Sequence, residues 1–279
     1  MRFVFLGYDF MLPVAEKLLL DGHTLTGVIT FPCDQIFNFN HNCQAIAKHT
    51  GAPYIESRAT KEHIESLINK GAQLFISAGY PYKIPPIPSS AYGINIHPSV
   101  LPRARGAMPV PHIIINETSE AAGYTIHKLE PEFDTGDIIH QENLILGDDE
   151  TVERYCAKIL ASAPSAMIDI VNDIKSHWNN AKPQDNTMAS TYTLPDDATR
   201  TLNWSQDVNH ILRTARAFGR YGCFAHFADK TWNVYACEGW TDNHSYESGH
   251  CLSLQNNMAV IAAHNGFIAL KEFNEMVVR

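Results

Sequence analysis

No block of basic residues occurs anywhere in the sequence. Its 21 Lys and Arg are dispersed among 30 Asp and Glu, for a formal charge of −9, so the clustered cations that grip a nucleic-acid backbone are missing and broad polyanion binding is disfavoured. There is no C-x-x-C pair either. The six cysteines, at 33, 43, 156, 223, 237 and 251, are widely separated and no His-rich spacing accompanies them, which argues against any metal and for free intracellular thiols. No apolar run reaches the length of a membrane span, and Met1 to Gly7 lacks the extended apolar segment of a secretory leader. A cytoplasmic protein with no membrane partner is expected. The turn Gly7-Tyr8-Asp9-Phe10 also lacks the G-x-G-x-x-G dinucleotide fingerprint.

What is present is enough apolar material, 45% of 279 residues, for one large core or two smaller ones. Phe3 to Leu6, a helical pattern to Leu19, and Thr24 to Thr30 read as a βαβ unit. Phe31 to Asn42 reads as an exposed polar and aromatic loop before a helix at Cys43 to Thr50. A strand at Pro53 to Ile55, a helix at Lys61 to Lys70 and a strand at Ala72 to Ala78 continue the alternation. A strand from Tyr92, a helix at Pro109 to Asn116, and strands at Ala121 to Leu129 and Ile138 to Ile145 follow. Thr151 to His177 carries the clearest amphipathic stripe, Val152, Tyr155, Ile159, Ala163, Met167, Ile170 and Ile174, and is expected to be one helix. From Trp178 the composition turns to Asn, Pro, Asp and Thr, which reads as a linker over 179–200 between a domain of residues 1–178 and one of 201–279. The latter has a helix at Gln206 to Phe218 and short strands with the spacing of a small barrel.

One stretch stands apart: Asn95-Ile96-His97-Pro98-Ser99-Val100-Leu101-Pro102-Arg103-Ala104-Arg105-Gly106. Asn95 and His97 lie two apart on a strand, so they share a face at its carboxyl end. Further on, Phe133-Asp134-Thr135-Gly136-Asp137 places a carboxylate in a glycine-containing turn. An amide, an imidazole and a carboxylate gathered at a strand end suit acyl transfer to an amine. The amide and a protonated imidazole donate to the oxyanion, and the imidazole can also move a proton near neutral pH. The carboxylate orients the imidazole and is expected to raise its pKa. Glu130 and Glu132 read either as part of a like-charge cluster with Asp134 or as a solvated loop. No Ser or Cys nucleophile is placed here, so direct attack by the acceptor amine is expected.

These two runs, N-I-H-P-S-V-L-P-R-A-R-G-A-M-P and F-D-T-G-D-I-I, resemble the signature of the formyltransferases that use 10-formyltetrahydrofolate. The resemblance implies a Rossmann-like α/β catalytic domain followed by a small β-rich, OB-like domain. It gives the catalytic roles to Asn95, His97 and Asp134. It places the folate along Gly79, Tyr80, Tyr82, Ile84, Ser99 and Asp134, and the acceptor near Tyr8, Arg103, Arg105 and Gly106. Tyr80 and Tyr82 read almost equally well as packing residues. Arg103 and Arg105 suit a phosphate, the folate's glutamate tail, or a carboxylate that anchors the loop.

The acceptor is not written in the catalytic run. Residues 190–279 hold seven Lys and Arg against nine Asp and Glu, which gives little to a phosphate backbone. A small-molecule amine is therefore preferred, a nucleotide-linked amino sugar first and an N-hydroxyornithine-type siderophore precursor second. Methionyl-tRNA stays a third choice, although the loop after the second strand lacks the basic residues of tRNA-acting members. A hydrolase that releases formate from the same folate is the reading from another class.

Overall fold

The computed structural model describes residues 1–35, 38–116, 118–255 and 258–276. Its elements begin with β1 (Arg2–Gly7), α1 (Pro13–Leu20), β2 (Thr24–Thr30), α2 (His41–Thr50), β3 (Tyr54–Glu56), α3 (Lys61–Asn69), β4 (Leu74–Ala78) and β5 (Tyr92–His97). There follow β6 (Arg105–Gly106), α4 (Pro109–Ile115), β7 (Gly123–Lys128), β8 (Ile138–Asn143), α5 (Val152–Asn172), α6 (Ile174–Asn179) and β9 (Thr191–Tyr192). The last are α7 (Val208–Phe218), β10 (Cys223–Phe227), β11 (Lys230–Thr241), β12 (Cys251–Gln255), β13 (Met258–Ala263) and β14 (Gly266–Glu275). They group into two compact units, residues 1–107, 120–145 and 156–192 in one, and 108–119, 146–155 and 193–279 in the other.

The first unit is built on a seven-stranded sheet in the order β3-β2-β1-β4-β5-β7-β8. The five strands from β3 to β5 run parallel, whereas β7 and β8 are antiparallel to their neighbours. β1 and β4 are apolar along nearly their whole length and buried on both faces, as central parallel strands must be. Val4, Leu6, Ile29 and Phe75 from the strands pack with Ile64 and Leu67 of α3 and with Tyr80. Chain order reverses between β1 and β4, which opens a crevice at the carboxyl ends of the strands.

The expected long helix is two. At Asp173 the backbone leaves helical geometry, and its carboxylate accepts from the Ser176 N–H at 3.4 Å to start α6. Apolar positions continue across the break through Ile170, Val171 and Ile174, so the stripe concealed it. The stretch 179–200, expected to be a linker, contains ordered chain: Lys182 bridges to Ile138 and β9 pairs in parallel with β6. The loop expected over Phe31 to Asn42 includes residues 36 and 37, which lie outside the described residues. α2 begins two residues earlier than expected, its first turn held where Asp9 Oδ1 accepts from the Cys43 N–H at 2.9 Å.

The second unit carries a five-stranded antiparallel sheet in the order β10-β11-β14-β13-β12. α7 buries Val208, Ile211, Ala217 and Phe218, and Asp207 caps it by accepting from the His210 N–H at 2.8 Å. β12 was not expected: it is an edge strand whose Leu252 and Leu254 are exposed, so it lacks the inward apolar face by which a strand is recognised. Among the described residues no helix is long and apolar enough to cross a membrane, and no cluster of His, Cys, Asp and Glu is arranged to hold a metal.

Candidate active site

β5 carries Asn95 and His97 on one face, and the antiparallel register sets Asn95 opposite His127 and His97 opposite Thr125 of β7. Asp134 reaches the same place from the turn between β7 and β8. Its Oδ1 lies 3.4 Å from His97 Nδ1, 3.6 Å from His127 Nε2 and 3.5 Å from Asn95 Nδ2. Its Oδ2 accepts from the Gly106 N–H at 2.9 Å. His97, His127 and Asp134 are 4%, 2% and 8% exposed, so their interactions are weakly screened.

The hydrogen bonds fix where the protons are. His97 Nε2 lies 2.8 Å from the Ala104 carbonyl, which only accepts, so the ring hydrogen is on Nε2 and Nδ1, facing Asp134, is the atom free to take or give a proton. His127 Nδ1 lies 2.7 Å from the Lys128 carbonyl and donates to it. Its bare Nε2 then accepts from Asn95 Nδ2 at 3.1 Å, which turns the amide N–H groups into the site. One hydrogen of that amide is held by His127. The other has only the long approach to Asp134 and is the one available to an oxyanion.

Electrostatics correct one expectation. Burial lowers the His97 pKa from its ordinary value, outweighing the Asp134 charge and the Ala104 carbonyl, which act to raise it. Burial alone would raise the Asp134 carboxyl, but the polar groups gathered around it, the Gly106 N–H at 2.9 Å among them, hold it below its ordinary value. At neutral pH the pair is a carboxylate beside a neutral imidazole, not beside an imidazolium. Glu130 and Glu132 are exposed, Glu132 meeting Lys83 at 3.4 Å, so they form a solvated loop and no cluster with Asp134.

The loop after His97 is held mostly by itself and by the 182–192 segment. Ser99 is fully buried and its hydroxyl donates to the Arg103 carbonyl at 2.7 Å, a loop staple. Arg105 donates to Gln184 Oε1 from Nε at 3.1 Å and from Nη2 at 2.6 Å, and to Asn186 Oδ1 at 2.8 Å. Arg105 thus anchors the loop, but to two amide oxygens and not to the carboxylate expected. Arg103, half-buried, makes no side-chain hydrogen bond or ion pair among the described residues. Gly106 has φ +97° and a Cβ there would strike the Tyr192 carbonyl, so only glycine fits.

Tyr8, Phe31, Tyr80 and Tyr82 form an aromatic group past the ends of β1, β2 and β4. Tyr8 and Phe31 are 5.7 Å apart, and Tyr82 lies 5.5 Å from Tyr80 and 6.3 Å from Phe31. Gly79, at φ +73°, allows Tyr8 to lie across it. The Tyr80 hydroxyl is committed, accepting from the Ala59 N–H at 2.7 Å and donating to the Ser57 carbonyl at 2.9 Å. Tyr82 carries Arg58 over its ring at 4.5 Å, and Ile84 packs on the core. His127 and Gln184 carry no signal in the sequence that marks them for the site.

Two family models match the chain consecutively, formyl transferase over residues 38–171 and formyl transferase C-terminal domain over residues 196–276. A methionyl-tRNA formyltransferase of Dehalococcoides mccartyi is 28% identical over 247 residues, 84% of this chain and 78% of that protein. Among solved structures, WlaRD, a sugar 3N-formyl transferase, matches with a TM-score of 0.70 at 17% identity over 100% of this chain and 99% of its own. The N-formyltransferase of Helicobacter canadensis, crystallised with folinic acid and dTDP-3-aminofucose, matches at 0.68 and 16% over 99% of both chains. HypX from Aquifex aeolicus in complex with tetrahydrofolic acid gives 0.70 and 16%, with 99% of this chain covering 44% of that one. With a family model matched in each half and the Asn95, His97 and Asp134 runs in place, the chain belongs to the formyl transferase family of enzymes.

Proposed function

We propose that this formyltransferase takes its formyl group from 10-formyltetrahydrofolate and passes it to the amine of a nucleotide-linked amino sugar. The observation that carries the chemistry is the convergence of Asn95, His97 and Asp134 on one point at the end of β5. The unprotonated amine attacks the formyl carbon, forming a C–N bond. Asn95 Nδ2 donates to the oxyanion, a few kcal/mol of stabilisation, about 3, for one such donor. Collapse breaks the bond to folate N10. His97 Nδ1 takes the proton the amine gives up and returns one to the departing nitrogen, and Asp134 steadies the imidazolium that exists between those events. Gly79, Tyr80, Tyr82, Ile84, Ser99 and Asp134 border the folate, with Tyr80 and Ser99 acting through the shape they hold. Tyr8, Arg103, Arg105 and Gly106 border the acceptor, where the aromatic group around Tyr8 and Phe31 offers faces for a base.

The amino sugar is favoured by two observations. The sugar 3N-formyl transferase WlaRD and the N-formyltransferase of Helicobacter canadensis, which was crystallised with dTDP-3-aminofucose, match this chain end to end, and residues 190–279 carry more acidic than basic side chains. The sequence relatives keep methionyl-tRNA as a second reading. Tetrahydrofolate release from 10-formyltetrahydrofolate, measured with dTDP-linked 3- and 4-amino sugars, N-hydroxyornithine, methionyl-tRNA and no amine, decides among them. Release with one amine names the acceptor class; equal release without amine is the hydrolase outcome and overturns formyl transfer.

A further inference from the structure

Asp134 and Gly106 share a hydrogen bond across two separate loops, and one side chain outside both loops holds each end of it. Gln184, in the segment between α6 and β9, gives its two amide hydrogens to the carbonyls of Asp134 and Gly136, both at 2.8 Å. Its Oε1 accepts twice from Arg105, at 3.1 and 2.6 Å. All four hydrogen-bonding positions of the amide are therefore filled. Two go to the turn that aims the carboxylate and two to the residue next to the Gly106 N–H that holds it. The turn needs holding. Asp134 is in the left-handed region at φ +58°, and at Gly136 any Cβ would strike the Lys128 carbonyl, so the turn is packed tightly on β7 while its two carbonyls face Gln184.

We propose that Gln184 is a positioning residue for formyl transfer, acting through Asp134 and touching neither substrate. The inference rests on the assignment of Asn95, His97 and Asp134 as the catalytic set. A displacement of the carboxylate by about 1 Å costs on the order of 100-fold in rate when it spoils a reacting geometry, and a group acting only in the chemical step changes kcat and leaves KM alone. Gln184→Glu separates the two arms. It keeps oxygen for Arg105 but sets a carboxylate against two carbonyls, so it preserves the loop anchor and removes the hold on Asp134.

The test is steady-state and single-turnover kinetics with 10-formyltetrahydrofolate and a dTDP-linked 3-amino sugar on five proteins: parent, Gln184→Ala, Gln184→Glu, Asp134→Asn and the Gln184→Ala, Asp134→Asn double variant, with melting curves as the check of folding. The expected result is a fall in kcat of about 100-fold in both Gln184 variants with KM for the folate within about 3-fold. In the Asp134→Asn background the Gln184→Ala change should add less than about 3-fold, because the group it positions is already gone. Parental kcat in Gln184→Glu, an effect confined to KM, or full multiplication of the two effects in the double variant overturns the inference. Parental kcat in Asp134→Asn overturns instead the catalytic assignment on which it rests.

Discussion

Asn95 and His127 face each other across antiparallel strands, with amide Nδ2 3.1 Å from imidazole Nε2. Because His127 spends its own N–H on the Lys128 carbonyl, the amide can meet it only with a hydrogen, and its second hydrogen is thereby directed into the site. Asn95→Ala should lower kcat by about 100- to 1,000-fold, the usual cost of one oxyanion donor. His127→Leu should cost less, about tenfold, by freeing the amide to turn over. Rates for both variants at saturating folate check the order; a His127 variant worse than the Asn95 variant contradicts it.

The acid side of the pH profile follows from burial. His97 is held below its ordinary 6.5, so the base stays unprotonated to lower pH than a free histidine, and kcat/KM should begin to fall only below that value. Stability moves the same way. Below pH 6.5 the unfolded chain takes up a proton on His97 that the folded chain refuses, so stability is complete above the ordinary value and is lost as pH falls toward the folded one. Asp134, also lowered, adds a second loss as pH falls below its ordinary 3.8. Melting temperature against pH for the parent and His97→Gln should diverge in slope as pH falls below about 6.5, the variant being flatter. Equal slopes contradict a buried neutral His97.

How much of this was legible beforehand divides by distance along the chain. Asn95 and His97 are neighbours on one strand, and Asp134 has a turn of its own, so local pattern sufficed. His127 reaches the site only through strand register, and a histidine in an apolar strand is unremarkable until its partner is known. Gln184 lies in a stretch whose composition reads as a linker, and no periodicity marks a side chain that bonds 50 residues away to Asp134. The neutral state of His97 is not legible in the sequence, because the nearby carboxylate is visible there and the degree of burial is not. Tyr80 shows the same limit: its ring position follows from the strand, but the commitment of its hydroxyl depends on Ser57 and Ala59.

Gly106→Ala should destabilise the fold by about 1–3 kcal/mol, since the new Cβ meets the Tyr192 carbonyl at a left-handed φ. The displaced loop carries the N–H that holds Asp134, so activity should fall in protein that is still folded. Urea unfolding and kcat measured below the transition check both parts. An alanine variant with unchanged midpoint shows that β6 and β9 do not pair as described.

Tyr80→Phe should cost about 1–2 kcal/mol of stability by leaving the Ala59 N–H and the Ser57 carbonyl without their shared partner. KM for 10-formyltetrahydrofolate should stay within about twofold, because a committed hydroxyl has nothing to give the folate. A tenfold rise in KM with unchanged stability assigns the hydroxyl to the folate instead.

The most direct test of formyl transfer to a sugar amine is to supply 10-formyltetrahydrofolate labelled with carbon-13 in the formyl group, together with a dTDP-linked 3-amino sugar, and to follow the label by mass spectrometry. Formyl transfer through Asn95, His97 and Asp134 predicts label in an amide on the sugar nitrogen, formed by the parent protein and lost in Asn95→Ala. Label appearing as free formate, or amide formed equally by the Asn95 variant, contradicts it.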